Sequence, residues 1–128
     1  PHIEGAIGLE AAIQYVESIG LGAIAEHEGN VAQVLQKQLS EIPGVKIYGS
    51  QESAIVSFVA EGLHPTDIGS LLDHYGVAVR AGHHCTQPLM KKLNVPGTVR
   101  ASLAIYNTEE EVQFFIDSLQ KVLKILRG

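Results

Sequence analysis

One cysteine, Cys85, stands in a chain of 128 residues, and two of the six histidines, His83 and His84, directly precede it. Arg80 opens the same stretch, Arg80-Ala81-Gly82-His83-His84-Cys85-Thr86-Gln87-Pro88. The thiolate is the reactive form of cysteine, and neighbouring cations or a helix N-terminus lower a thiol's pKa from about 8.5. An apolar run (Val77, Ala78, Val79) precedes the stretch and Pro88 opens a helical pattern after it. A loop between a strand and a short helix is where a scaffold displays reactive groups. One reading is therefore an activated thiol on an exposed loop, with Arg80, His83 and His84 in place to tune it. A lone cysteine also serves as a small buried hydrophobe. His-His-Cys are three metal-ligand types as well. Structural zinc takes four ligands at recognisable spacing, however, and there is no second cysteine, so no metal is expected.

Arg100 is the second chemical candidate. Residues 98–105 alternate, with Val99, Ala101, Leu103 and Ile105 on one face and Thr98, Arg100, Ser102 and Ala104 on the other. A guanidinium held on a rigid strand can grip a carboxylate bidentately. A surface ion pair is the plainer use of the same residue. Lys91 and Lys92 read as a hydrated pair on a short helix, because a Schiff-base lysine needs a desolvated or cationic setting.

The elements that must position these groups follow from periodicity. Helical spacing predicts helices over 4–20 and 21–42, the first closed by Gly20 and the second by Pro43-Gly44. Residues 45–48 and 54–60 read as strands joined by a turn over 49–53, an antiparallel hairpin. Pro65 suits the first turn of a helix that Gly76 closes. His64 and His74 at its ends read as capping or solvated groups, and His27 as part of a solvated face. A strand over 77–80 then delivers the Cys85 loop, a short helix covers 88–93, and the strand over 98–105 follows. Thr108 and Glu111 form a capping box for the last helix, whose stripe is Val112, Phe115, Ile116, Leu119, Val122, Leu123 and Leu126. The order α-α-β-β-α-β-α-β-α predicts an α+β fold with a small, mainly antiparallel sheet covered by helices.

The length suits a single domain over 1–128, large enough to bury a core without staples. Nine basic against fourteen acidic residues give a net charge of −5, which disfavours a nucleic-acid or anionic-membrane surface. No apolar run approaches the roughly 20 residues that span a bilayer, and the N-terminus has no signal-peptide pattern. A single cysteine suits a reducing cytoplasm, with an organelle left open if a targeting segment lies upstream. The opening Pro1-His2-Ile3-Glu4-Gly5 reads as the start of a fragment.

Two long motifs carry a resemblance. Arg-Ala-Gly-His-His-Cys-Thr-Gln-Pro-Leu-Met at 80–90, followed by Val-Arg-Ala-Ser-Leu-Ala-Ile-Tyr-Asn-Thr at 99–108, resembles the C-terminal domain of Suf-type (group II) cysteine desulfurases. These are pyridoxal-phosphate enzymes of the aminotransferase class V fold. The similarity runs through the whole chain and covers about the last third of such an enzyme. It implies the small C-terminal domain of a fold-type I enzyme, with the Schiff-base lysine and the cofactor-binding large domain upstream of Pro1 and no cofactor-binding residue in this chain. It also implies that Cys85 accepts sulfur from L-cysteine as a persulfide, leaving L-alanine, and that Arg100 anchors the substrate carboxylate. Arg80 matches a family arginine near the site that could instead brace the loop. His83 and His84 belong to the motif, with their orientation toward the thiol open. The implied partners are a Suf-type sulfur acceptor for iron–sulfur cluster assembly and a second copy of the parent enzyme. Selenocysteine lyase and cysteine sulfinate desulfinase share the fold and stay open as alternatives. So do a non-catalytic docking or dimerisation module and a small thiol-redox or metal protein.

Overall fold

Glycine and proline mark the joints of the fold. In a computed structural model, which describes residues 1–50 and 53–128, Gly20 separates helix α1 (Ile3–Ile19) from helix α2 (Leu21–Ser40). Pro43-Gly44 precedes strand β1 (Val45–Tyr48), which pairs with β2 (Ile55–Ala60) as the predicted antiparallel hairpin. The predicted turn over 49–53 includes Gln51 and Glu52, which lie outside the described residues. Pro65 begins helix α3 (Pro65–His74), and His64 Nδ1 accepts the Thr66 N–H at 3.3 Å as its cap. Strand β3 (Arg80–Gly82), helix α4 (Gln87–Leu93), strand β4 (Thr98–Ser102) and helix α5 (Glu109–Arg127) complete the predicted order.

The sheet runs β1-β2-β4-β3 with every neighbouring pair antiparallel. Alternation divides each strand between two environments. Val56, Phe58 and Ala60 of β2 and Val99 and Ala101 of β4 are buried against helices. Opposite them lie Leu35 and Leu39 of α2, Ile68 and Leu72 of α3, and the predicted stripe of α5. Phe58 and Phe115 meet edge to face, centroids 6.2 Å apart at 76°. Each such side chain contributes roughly 1.5–3 kcal/mol by burial. The other face of the sheet is left open for a site.

Four details differ from, or add to, the sequence reading. The strand placed at 77–80 lies at Arg80–Gly82 instead. Gly76, at φ 76°, takes the left-handed position after α3, and the Val77 N–H then bonds the Leu72 carbonyl at 3.1 Å. That helix-closing motif uses the donor that a strand at Val77 would need. The strand placed at 98–105 ends at Ser102, because Asn107 Oδ1 accepts the Ala104 N–H at 2.9 Å and folds 104–107 into a turn. Helix α1 forms where its spacing predicts but buries none of its residues, and Ile3, Ile7, Leu9 and Ile13 stay exposed. His27 is tied rather than merely solvated, its Nε2–H donating to the Asn107 carbonyl at 2.9 Å.

Candidate active site

Strand register builds the site. Tyr48 pairs with Ser57, Ser57 with Arg100, and Arg100 with Arg80. Directly paired residues project from the same face, so these four form one row across all four strands. Their neighbours Phe58 and Val99 point into the core, so the row lies on the open face. Tyr48, Ser57 and Arg100 line a groove of about 470 Å³ there, together with His84, Thr98 and the apolar wall of Leu89, Met90 and Leu93 from α4.

Two guanidinium groups opposite one another repel. Among the described residues neither Arg80 nor Arg100 makes an ion pair, and the Arg100 Nε–H is buried without a partner. An uncompensated cation pair at a groove is a place for an anion, and the planar fork of arginine suits a carboxylate.

The thiol sits on a tight turn at the end of β3. The His83 carbonyl accepts the Thr86 N–H and the Thr86 hydroxyl, each at 2.9 Å, and His84 and Cys85 are the turn's central residues. Both have left-handed backbone, φ 55° and 60°. Side chains with a Cβ adopt that region at a cost of roughly 1–2 kcal/mol each, and such strain gathers at functional sites. Cys85 is exposed, which sets aside its reading as a core hydrophobe.

The two histidines face different ways. His83 Nδ1 accepts the Cys85 backbone N–H at 3.1 Å. His84 Nε2 lies 3.1 Å from the Thr98 carbonyl and 2.9 Å from its hydroxyl. A carbonyl only accepts, so the proton is on Nε2 and the buried Nδ1 is bare and unpartnered. Burial is the main reason the His84 pKa falls below its ordinary value. The Thr98 carbonyl opposes that, and the charges of Arg100, Arg80 and His83 add to it. His84 is therefore a neutral ring at neutral pH. Neither ring hydrogen-bonds the Cys85 sulfur among the described residues.

The structure thus gathers Arg100, Arg80 and His84 at one end of the open face, with Cys85 on the turn beside them. Ser57, Tyr48 and Thr98 were not singled out by sequence reasoning. Alternation could place Ser57 and Thr98 on the polar face, but only the register sets Ser57 beside Arg100. Among the described residues, no group of three or more His, Cys, Asp and Glu side chains comes together to hold a metal.

An exposed thiol on a strained turn, two arginines on one open sheet face, and helices packed on the other define the class: a small α+β domain that presents a free cysteine beside a groove lined by an arginine. The aminotransferase class-V family model matches residues 1–115. The chain belongs to that family. It is 46% identical over 127 residues to a cysteine desulfurase of Shigella flexneri, covering 98% of this chain and 31% of that protein. It is 50% identical over 122 residues to a probable cysteine desulfurase of Halalkalibacterium halodurans, covering 94% and 30%. The crystal structure of the cysteine desulfurase CsdA of Escherichia coli superposes with a TM-score of 0.93 at 34% identity, over 98% of this chain and 31% of that one. The apo cysteine desulfurase of Thermococcus onnurineus NA1 gives a TM-score of 0.92 at 44% identity, over 97% and 32%. The chain therefore spans about a third of the length of the proteins it resembles.

Proposed function

We propose that this chain is the C-terminal domain of a group II cysteine desulfurase, in which Cys85 takes sulfur from L-cysteine. The observation that carries the reading is the exposed Cys85 turn beside a groove lined by Arg100, which pairs across the strands with Arg80, neither arginine having a counter-ion among the described residues. The names of the relatives point the same way.

Pyridoxal phosphate would be held by the rest of the enzyme. The groove of this chain is lined without a lysine, and Lys91 and Lys92 are exposed on α4. The cofactor supplies an electron sink when bound, and that chemistry is its own. The residues of this chain supply position and a nucleophile. Arg100, braced on β4, grips the substrate carboxylate, and Arg80 adds positive charge beside it. The apolar wall of α4 keeps water from that ion pair and strengthens it. The Cys85 thiolate attacks the substrate sulfur, a sulfur–sulfur bond forms as the carbon–sulfur bond breaks, and the protonated carbon skeleton leaves as L-alanine. His84, held neutral against Thr98, fixes the turn without adding charge. The persulfide stands on an exposed turn, open to a Suf-type acceptor protein for iron–sulfur cluster assembly. The parent enzyme is read as a homodimer in the cytoplasm. No helix among the described residues is long and apolar enough to cross a membrane.

The test uses the full-length enzyme with its cofactor. Alanine release and persulfide mass are measured for wild type, Cys85→Ala and Arg100→Ala. Wild type gives both signals, Cys85→Ala loses the persulfide, and Arg100→Ala needs far more substrate. Alanine release with no persulfide on Cys85 would replace the reading with a related lyase. Neither signal from wild type would leave a non-catalytic module.

A further inference from the structure

The row across the open face contains a residue that the mechanism above does not use. Ser57 pairs directly with Arg100, and both line the groove. The Arg100 Nε–H is a buried donor without an acceptor. The Ser57 hydroxyl has no hydrogen bond among the described residues. A buried charged donor left unpaired is costly, and an idle hydroxyl stands on the neighbouring strand. Cβ atoms at directly paired positions lie about 4.5–5.5 Å apart. Serine has three staggered positions for its oxygen, and a change between them sweeps Oγ along the sheet toward the neighbouring strand.

We propose that Ser57 is a positioning residue for Arg100: its oxygen accepts the Nε–H, which leaves the two terminal Nη groups to clamp a substrate carboxylate end-on. The proposal rests on the reading of Arg100 as the carboxylate anchor. An arginine can offer either its Nε edge or its Nη end to a carboxylate. With Nε occupied by Ser57, only the Nη end remains, and the substrate is held in one orientation. Ser57 itself does not touch the substrate in this arrangement.

The full-length holoenzyme is assayed for alanine release against L-cysteine concentration, as wild type, Ser57→Ala, Ser57→Thr, Arg100→Ala and the double variant Ser57→Ala/Arg100→Ala. Loss of one hydrogen bond to a charged group corresponds to about a tenfold effect. Ser57→Ala therefore raises KM about tenfold, with kcat within about twofold of wild type. Ser57→Thr keeps the hydroxyl on a residue that strands favour, and restores the wild-type KM. Ser57→Ala adds nothing in the Arg100→Ala background, because the two act as one unit. An unchanged KM in Ser57→Ala, alongside a raised KM in Arg100→Ala, overturns the proposal and leaves the anchor reading standing. The same outcome follows if Ser57→Thr behaves like Ser57→Ala, or if Ser57→Ala costs the same factor without Arg100. An unchanged KM in Arg100→Ala removes the anchor and the proposal together.

Discussion

Substitution of Gly97 by alanine tests whether close backbone approach holds the Cys85 turn in place. Gly97 is buried at the entry to β4, beside Gly82 at the end of β3. A Cβ on Gly97 would lie 2.7 Å from the Gly82 carbonyl carbon and oxygen and 3.0 Å from its Cα. Carbon atoms pack from about 3.5 Å, so the methyl group is roughly 0.8 Å too close. Its neighbours are main-chain atoms and cannot rotate away. The strands must part where Gly82 pairs with Thr98, next to the bonds of 2.9 and 3.1 Å from His84 to Thr98. Overpacking of this kind costs about 1–3 kcal/mol, and a weakened hydrogen bond adds about 1. Reduced freedom of the unfolded chain returns about 0.4–1 kcal/mol. The expected net loss is about 2 kcal/mol, which lowers Tm by roughly 8 °C for a chain of this size. Thermal unfolding followed by circular dichroism reads it. Gly29→Ala is the control, because a Cβ there meets nothing within 4 Å and lies within α2. The same chemical change at Gly29 stabilises by up to about 1 kcal/mol through helix propensity. A Gly97→Ala chain that melts at or above the wild-type temperature would refute the close-approach reasoning.

Three further outcomes follow from particular groups. His84 has a folded-state pKa below its ordinary value of 6.5, so protons favour the unfolded chain. Its contribution to stability is complete above pH 6.5 and is lost as pH falls from there toward the folded pKa. Urea unfolding between pH 8 and 5 should show a shallower pH dependence in His84→Gln, and identical slopes would contradict the assignment. Thr108→Ala removes the half of the capping box in which the Thr108 hydroxyl accepts the Glu111 N–H at 3.3 Å, and leaves the main-chain N–H of residue 108 to donate to the Glu111 carboxylate, as it does at 3.0 Å in the wild type. It should cost about 1 kcal/mol in the same assay. Lastly, the 128-residue chain supplied with pyridoxal phosphate and L-cysteine should release no alanine, since its groove is lined without a lysine. Alanine above the cofactor-only background would overturn that expectation.

What was legible in the chain was mostly what local rules decide. Thr108, Glu111 and the stripe of α5 lie within one helix, and both the cap and the buried face form where the spacing places them. Pro65, Gly20 and Gly76 act on their own backbone, so the joints were legible too. Cys85 and Arg100 stood out by residue type. The failures lie where a donor has two suitors. Val77 looks like a strand residue, but its N–H bonds Leu72, and pairing with β4 begins only at Arg80. The apolar residues of α1 announce a helix correctly, but periodicity says only that a face is apolar and not what covers it, and none of these residues is buried in this chain. Nothing in the types of His84 and Cys85 marks them for left-handed backbone. That conformation comes from the turn bonds of His83 to Thr86 and from the anchoring of His84 to Thr98.

Register carries the rest. Alternation alone assigns Ser57, Thr98 and Arg100 to a polar face, but a shift of two residues along β4 would keep every face assignment and still move Arg100 away from both Ser57 and Arg80. The actual register is held from both sides. Phe58 opposite Val99 fixes β2 against β4 through the core, and the contact of Gly97 with Gly82 fixes β3 against β4 through the backbone. Core packing thus does on one face of the sheet what the site requires on the other. A cavity made at Phe58 or Val99 is therefore expected to weaken the carboxylate grip proposed for Arg100 as well as the fold, although both side chains are buried in the core on the opposite face.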